Sequence, residues 1–243
     1  MLFVWYKVSF DEKWSHGSAV CETVYFFVEF VCVFPWKCVS LNNQNRGKIM
    51  DGILRKLPIG IQTFEKLREG DYLYVDKTAL VWRIASTETP YFLSRPRRFG
   101  KSLLLSTFEA YFEGKKELFE GLAIADMEKE WKTYPVFHLD LNAEKYDSPQ
   151  ALVEILSRQL TQWELKYGKG EDEETLSGRF AGVIRRACEQ SGRGVVVLVD
   201  EYDKPLLQAL DDGTLLDDYR KTLKAFYGVL KSSDRYLRFV FLT

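Results

Sequence analysis

The chain carries FLSRPRRFGKS at residues 92–102, which is a short apolar run, a turn rich in arginine, and a glycine directly before Lys101 and Ser102. Apolar residues then recur at helical spacing, at Leu104, Phe108, Tyr111 and Phe112. The stretch therefore predicts a strand, a basic loop and a helix in direct succession. Such a loop lies where the amide groups of a helix start are free.

A second informative run is VVVLVDE at residues 195–201. Its uninterrupted apolar part is typical of a strand that is covered on both faces. It ends in two carboxylates, Asp200 and Glu201. In open α/β sheets the ligand lies at the carboxyl ends of the strands, so this pair and the basic loop are expected at one edge of the sheet.

The rest of the chain alternates between strand-like and helix-like segments. Strands are predicted at 72–75, 91–94, 136–141, 195–199 and 236–242. Helices are predicted at 62–68, 76–84, 101–113, 149–167, 175–190 and 217–231. This alternation implies parallel pairing and predicts a three-layer α/β sandwich.

The overall composition of the chain is compatible with many functions, but it argues against several classes of protein. The chain has 243 residues, a net charge of −1, 46% hydrophobic residues and 28% charged residues. The balance gives no overall case for binding nucleic acid or an anionic membrane. Four cysteines without a C-x-x-C pair, together with two histidines, argue against a zinc site and against a disulfide framework. This favours a reducing, cytoplasmic setting.

The first 49 residues differ in character from the rest of the chain. Residues 24–34 are dense in aromatic and β-branched side chains, but Glu22 and Glu29 interrupt the surrounding stretch between Lys13 and Lys37. Acidic groups at depth are costly in a bilayer, which argues against a membrane span. We interpret residues 1–49 as an extension of uncertain structure, with Met50 as an alternative start, and residues 50–243 as the domain.

The basic loop has the chemistry of a phosphate-binding loop. A helix start offers free N–H groups and the positive end of its dipole, and Gly100 lets the backbone approach an anion. Lys101 could reach the β- and γ-phosphates, and the hydroxyl of Ser102 could bind Mg²⁺. The motif G-x-x-x-x-G-K-[ST] is met only in its second half, because Arg95 occupies the first glycine position. The alternative is a basic, solvated loop.

The acidic strand end supplies the complementary groups. Asp200 is placed to hold Mg²⁺ through water, and Glu201 is the candidate general base that deprotonates an attacking water. The alternative is a pair of surface carboxylates. Nearby, Asp203 is interpreted as a helix cap before a proline, and His138 as a packed core residue. Thr243 ends the last strand at the same edge, where it could sense a γ-phosphate.

Four sequence motifs together resemble those of the AAA-ATPase-like domain of many bacterial proteins: LPIGI at 57–61, YVDKT at 74–78, FLSRPRRFGKS at 92–102 and VDEYDKP at 199–205. The arginine-rich loop is characteristic of that family. The resemblance implies a P-loop fold with sheet order 5-1-4-3-2, binding of ATP and Mg²⁺, and hydrolysis. It also implies nucleotide-binding roles for Arg95, Pro96, Arg97, Arg98, Phe99, Gly100, Lys101, Ser102, Leu103, Asp76, Lys77 and Thr78. For the last three, a plain helix cap is the alternative.

Relatives of this kind usually continue past the position of Thr243 with a fifth strand, a helical lid and often a restriction-endonuclease-like nuclease domain. We therefore expect the chain to be truncated after its fourth core strand, so that strand 5 is missing. The partners that the resemblance implies are a nucleotide, further copies of the chain, and a downstream nuclease domain.

Three functions remain open from the sequence. The first is an ATPase domain that couples hydrolysis to a conformational change. The second is a nucleotide-binding switch or scaffold without turnover. The third is a nucleic-acid binder that uses the arginine loop, against which the near-zero net charge argues.

Overall fold

A computed structural model describes residues 55–87, 89–96, 98–142 and 145–243. The predicted extension at 1–49 and Arg97 of the basic loop lie outside these described residues.

The described residues form one sheet of four parallel strands: β1 (Tyr91–Phe92), β2 (Val136–Asp140), β3 (Val195–Asp200) and β4 (Leu237–Leu242). The strand order is β1-β4-β3-β2. This is the 1-4-3-2 part of the expected order, and it confirms the α/β class. The strand that precedes the basic loop, β1, and the strand that precedes the acidic pair, β3, therefore lie on either side of β4.

Eight α-helices accompany the sheet within the described ranges: α1 (Phe64–Glu69), α2 (Thr78–Ala85), α3 (Lys101–Phe112), α4 (Ala123–Met127), α5 (Pro149–Tyr167), α6 (Leu176–Ser191), α7 (Lys204–Gln208) and α8 (Gly213–Ser232). Short 3₁₀ turns occupy Lys116–Phe119 and Asp234–Tyr236. The predicted long helices are all present. The helices α4 and α7 have five residues each, too few to display a helical period in the sequence.

The predicted strand at 72–75 is wrong. Among the residues that the structure describes, a single bridge forms there, between Tyr72 and Lys56. Tyr74 turns inward against the ring of Phe64, while Leu73 and Val75 are exposed. A run of aromatic and apolar residues is typical of a strand, but no neighbouring strand is present in the described residues to pair with it.

The strand β3 lies at the centre of the core, and all six of its residues are buried. Val195, Val197 and Val199 belong to the cluster that includes side chains of α5, α6 and α8. Val196 and Leu198 belong to the cluster on the other face, which includes side chains of α3. Because successive side chains of a strand point to opposite faces, the continuous apolar run is explained by burial from both sides. The result is three layers.

Candidate functional site

The acidic end of β3 is held in place by the residue that comes directly after β4. Asp200 is 5% exposed, and its Oδ1 accepts a 2.7 Å hydrogen bond from the hydroxyl of Thr243. The backbone N–H of Thr243 also donates to the carbonyl of Val199 at 2.9 Å. A buried carboxylate needs partners of this kind. The contact fixes the orientation of Asp200, and no described residue donates a hydrogen bond to its second oxygen, which could take another ligand.

The basic loop leaves the sheet beside β4. The N–H of Leu93 donates to the carbonyl of Leu242 at 2.9 Å, after which the chain turns through Arg98 (φ 69°) and Gly100 (φ 77°) into α3. A Cβ atom at Gly100 would have no heavy atom within 4 Å. The glycine is therefore favoured by its left-handed backbone rather than by lack of space.

The start of α3 is suited to an anion. Gly100 occupies the N-cap position, so no side chain caps the helix, and its first turn holds no acidic residue. The first amides of such a helix have no partner within it. In the same loop, the Nε of Arg95 is buried and has no hydrogen-bond partner among the described residues. A buried, unpaired guanidinium nitrogen in the loop that leads to free helix amides fits a polyanion.

The structure brings Lys101 into contact with one of the two acidic residues, Glu201. The Nζ of Lys101 lies 3.3 Å from Oε1 of Glu201, with the two side chains 9% and 22% exposed. The same Nζ donates a 3.0 Å hydrogen bond to the carbonyl of Arg95. One ammonium group thus joins the basic loop to the acidic strand end.

Glu201 has an unusual backbone conformation for a residue with a side chain. Its φ is 53°, in the left-handed region that favours glycine. The turn is fixed on both sides, because the N–H of Tyr202 donates to the carbonyl of Thr243 at 2.9 Å and the N–H of Lys204 donates to the carbonyl of Glu201 at 3.1 Å. Strain of this kind is a frequent mark of functional positions.

Asp203 lies in the same turn. Burial raises the pKa of its carboxyl above the usual range, and the negative charge of Glu201 adds to this, although Lys101 opposes it. Asp203 occupies the N-cap position of α7, as the sequence predicts, but its side chain makes no capping hydrogen bond. The turn therefore carries two carboxylates, and the ammonium group of Lys101 from α3 acts on both.

A magnesium ion would be held by few protein groups. Ser102 and Asp200 are the immediate sequence neighbours of Lys101 and Glu201, which are in contact. Within the described ranges, no three His, Cys, Asp or Glu residues lie together as a metal cluster. Magnesium bound to a triphosphate needs no such cluster, since phosphate and water oxygens fill most of its ligand positions. The residues present fit that form of binding.

Asp76 and Thr78 hold two helices together. The Oδ1 of Asp76 accepts from the N–H and hydroxyl of Thr78 at 2.8 and 2.7 Å, and its Oδ2 accepts from the N–H of Ala123 at 2.7 Å. The hydroxyl of Thr78 accepts from the N–H of Ile124 at 3.1 Å. These bonds give hydrogen-bond acceptors to backbone N–H groups in the first turns of α2 and α4, which have no partner within their own helices. Hydrogen bonds of this kind are expected of residues that cap a helix. Lys77, between Asp76 and Thr78 in the sequence, is the N-cap residue of α2.

The remaining predicted loop residues differ in exposure. Pro96 and Arg98 are exposed, and the ring of Phe99 is 47% exposed. Leu103, in the first turn of α3, is partly buried and packs against the cluster on that face of the sheet.

Sequence reasoning missed the pair formed by His138 and Glu109. The Nδ1 of His138 on β2 lies 2.9 Å from Oε2 of Glu109 on α3, and its Nε2 is buried without a partner among the described residues. His138 is therefore not a simple packed core residue. No local sequence signal points to this pair, because His138 and Glu109 meet only through the packing of α3 on the sheet.

The stability of the protein is expected to fall through His138 over the pH range that begins near the ordinary histidine pKa of about 6.5 and extends upward. Burial lowers the pKa of His138, but the charges of Glu109 on α3, Asp200 on β3 and Asp140 on β2 together outweigh burial and raise it. A raised folded-state pKa stabilises the fold below the ordinary value, and this contribution is lost as the pH rises through the raised one. Urea midpoints of wild type and His138→Gln across this range measure it.

In that comparison, His138→Gln should show a flatter dependence of stability on pH than wild type. Glu109→Gln removes the main partner and should flatten it as well. Parallel pH profiles for all three proteins would contradict this account of His138.

Together the parallel sheet, the glycine-terminated basic loop and the acidic strand end define a three-layer α/β protein of the P-loop kind. The model of the family described as "Predicted AAA-ATPase" matches residues 58–243, and the chain belongs to this AAA-ATPase-like family. Nucleotide binding is accordingly the activity supported at the level of the family.

A curated relative, named "Uncharacterized protein in vnfD 5'region", from Azotobacter chroococcum mcd 1, is 42% identical over 190 residues. The match covers 78% of this chain and 37% of that protein, so the chain spans well under half the length of this relative. No solved structure matches the chain.

Among the helices of the described residues, none combines the length and the apolar character needed to cross a bilayer.

Proposed function

We propose that residues 50–243 form an ATP-binding P-loop domain that hydrolyses ATP with Mg²⁺. In a longer protein of this family, turnover would drive a conformational change. The observation that carries the proposal is the 3.3 Å contact between Lys101 and Glu201, because it brings the phosphate-binding loop and the acidic strand end to one place.

The chemistry of each site residue suggests its role in the proposed reaction. The free amides at the start of α3, Lys101 and Arg95 would bind the phosphates. Ser102 and Asp200 would hold Mg²⁺, which supplies charge stabilisation at the phosphates. Thr243 keeps the carboxylate of Asp200 oriented through its 2.7 Å hydrogen bond.

Glu201 is the proposed general base. Its carboxylate would take a proton from a water molecule, the water oxygen would form a bond to the γ-phosphorus, and the bond from that phosphorus to the bridging oxygen would break, releasing ADP. Lys101 would stabilise the negative charge that develops on the phosphate oxygens.

A calorimetric titration of residues 50–243 with ATP, with and without Mg²⁺, tests the binding step. Saturable binding that Mg²⁺ strengthens supports the proposal, and absence of heat in both titrations contradicts it. Phosphate release measured on the same sample then separates an ATPase from a nucleotide-binding switch, which would bind ATP without turnover.

Glu201→Gln is expected to retain ATP binding and to lower the rate of hydrolysis by about a hundredfold or more, the usual contribution of a general base. Glutamine keeps the shape of the side chain but accepts no proton. Steady-state phosphate release measures the change. Asp217→Asn, at an exposed carboxylate in the pair with Arg220, is the matched control. Equal turnover of Glu201→Gln and wild type would rule out the assigned base.

A further inference from the structure

We propose that the ion pair between Lys101 and Glu201 is an internal lock of the nucleotide-free protein, which a bound phosphate must break before Glu201 can act on water. The inference rests on the proposed function, since it concerns regulation of that same site. It assigns Glu201 a second task, which is to limit nucleotide affinity.

The first support is that the ammonium group of Lys101 already has two partners. Its ammonium group contacts Oε1 of Glu201 at 3.3 Å and donates to the carbonyl of Arg95 at 3.0 Å. The side chain is 9% exposed, so little water competes for it. An incoming phosphate therefore meets an ammonium group that is already paired with a carboxylate, rather than a free cation, and competes with Glu201 for it.

The second support is that the backbone holds Glu201 in the locking position. The left-handed turn at this residue is clamped by the hydrogen bonds from Tyr202 to Thr243 and from Lys204 to the carbonyl of Glu201. The backbone of Glu201 is thus held beside Lys101 by the fold of the strand end, and the ion pair itself orients the carboxylate.

The third support is the charge balance of the turn. Lys101 opposes the negative charges of both Glu201 and Asp203. When a phosphate takes over Lys101, Glu201 is left beside Asp203 without that cation. The carboxylate is then released from its ion pair and can contact a water molecule. Binding of the substrate and release of the base are in this way one event.

The first experiment measures affinity without turnover. A non-hydrolysable ATP analogue is titrated in the absence of Mg²⁺ into wild type, Glu201→Gln and Asp140→Asn. Because Glu201→Gln breaks the lock, this variant should bind the analogue about tenfold more tightly than wild type. The difference corresponds to about 1.4 kcal/mol of binding free energy. Asp140 is the last residue of β2, it pairs in register with Asp200 on β3, and it is exposed. Its replacement by asparagine removes one negative charge at the same edge of the sheet but leaves the ion pair of Lys101 and Glu201 in place.

A gain in Glu201→Gln that Asp140→Asn does not share supports the lock. Equal or weaker binding by Glu201→Gln, or the same gain in Asp140→Asn, overturns it. Because asparagine tolerates the left-handed backbone, Glu201→Asn provides a second variant in case the glutamine protein folds poorly.

The second experiment needs no nucleotide. An amine-reactive reagent labels the free protein, and mass spectrometry follows each lysine. In wild type, Lys101 should react far more slowly than the exposed Lys224. In Glu201→Gln its rate should rise severalfold while that of Lys224 stays constant. Equal labelling of Lys101 in both proteins overturns the lock, whereas absence of analogue binding in every protein overturns the proposed function instead.

Discussion

Replacing Lys101 with alanine is expected to weaken ATP binding at least about a hundredfold, which corresponds to about 2.7 kcal/mol of binding free energy. The variant loses the cation that would meet the phosphates. It also leaves Glu201, which is 22% exposed, as an uncompensated negative charge facing an anionic ligand. Both effects act in the same direction, so the loss should exceed that for any other single loop residue.

Calorimetry on wild type and Lys101→Ala measures this loss. Lys115→Ala is the matched control, because it removes one positive charge from a lysine that pairs with Glu65 and Glu113 away from the strand ends. Its affinity should stay within about threefold of wild type, since exposed charges are screened. Equal ATP affinities of wild type and Lys101→Ala would rule out the assignment of residues 92–102 as a phosphate-binding loop.

Replacing Arg179 with alanine is expected to lower the free energy of unfolding by about 3 kcal/mol or more, the usual cost of removing one partner of a buried ion pair. Arg179 on α6 is 8% exposed and Glu164 on α5 is 7% exposed. The Nε and one terminal nitrogen of Arg179 each donate to a different carboxylate oxygen of Glu164 at 2.8 Å. Its remaining donors reach Ser157 and Thr161.

Urea unfolding followed by circular dichroism measures the loss. Arg220→Ala is the control, because that arginine pairs with Asp217 on the surface, with side chains 61% and 63% exposed, and should cost under about 1 kcal/mol. The double variant Arg179→Met with Glu164→Leu should recover most of the stability, since no lone charge stays buried. Similar losses for Arg179→Ala and Arg220→Ala would contradict this account.

The sheet and the long helices could be predicted because each leaves a regular trace in the sequence. The run at 195–199 has no polar residue, since β3 is covered on both faces. The helix at 149–167 begins with proline and ends before glycine, and the structure has the same bounds. The 3.3 Å meeting of Lys101 and Glu201 also agrees with the sequence, because parallel strands bring their carboxyl ends to one edge.

Other features depend on tertiary contacts that no local pattern encodes. The pair of His138 and Glu109 joins residues 29 apart through the packing of α3 on the sheet. The contact of Asp76 with Ala123 spans 47 residues. The left-handed turn at Glu201 is equally hidden, because a glutamate carries no signal for that backbone. At 72–75 the local pattern was misleading, since a strand needs a partner as well as a suitable composition.

The position of β4 in the chain has a consequence for biosynthesis. The ribosome makes β1, the basic loop and the acidic end of β3 well before it makes residues 237–243. Yet β1 pairs with Phe241 and Leu242, and Asp200 and Tyr202 bond to Thr243. Contacts this far apart in sequence form slowly. A nascent chain lacking β4 therefore carries both halves of the site unjoined and exposes unpaired strand edges, which are the kind of surface that aggregates before folding is complete.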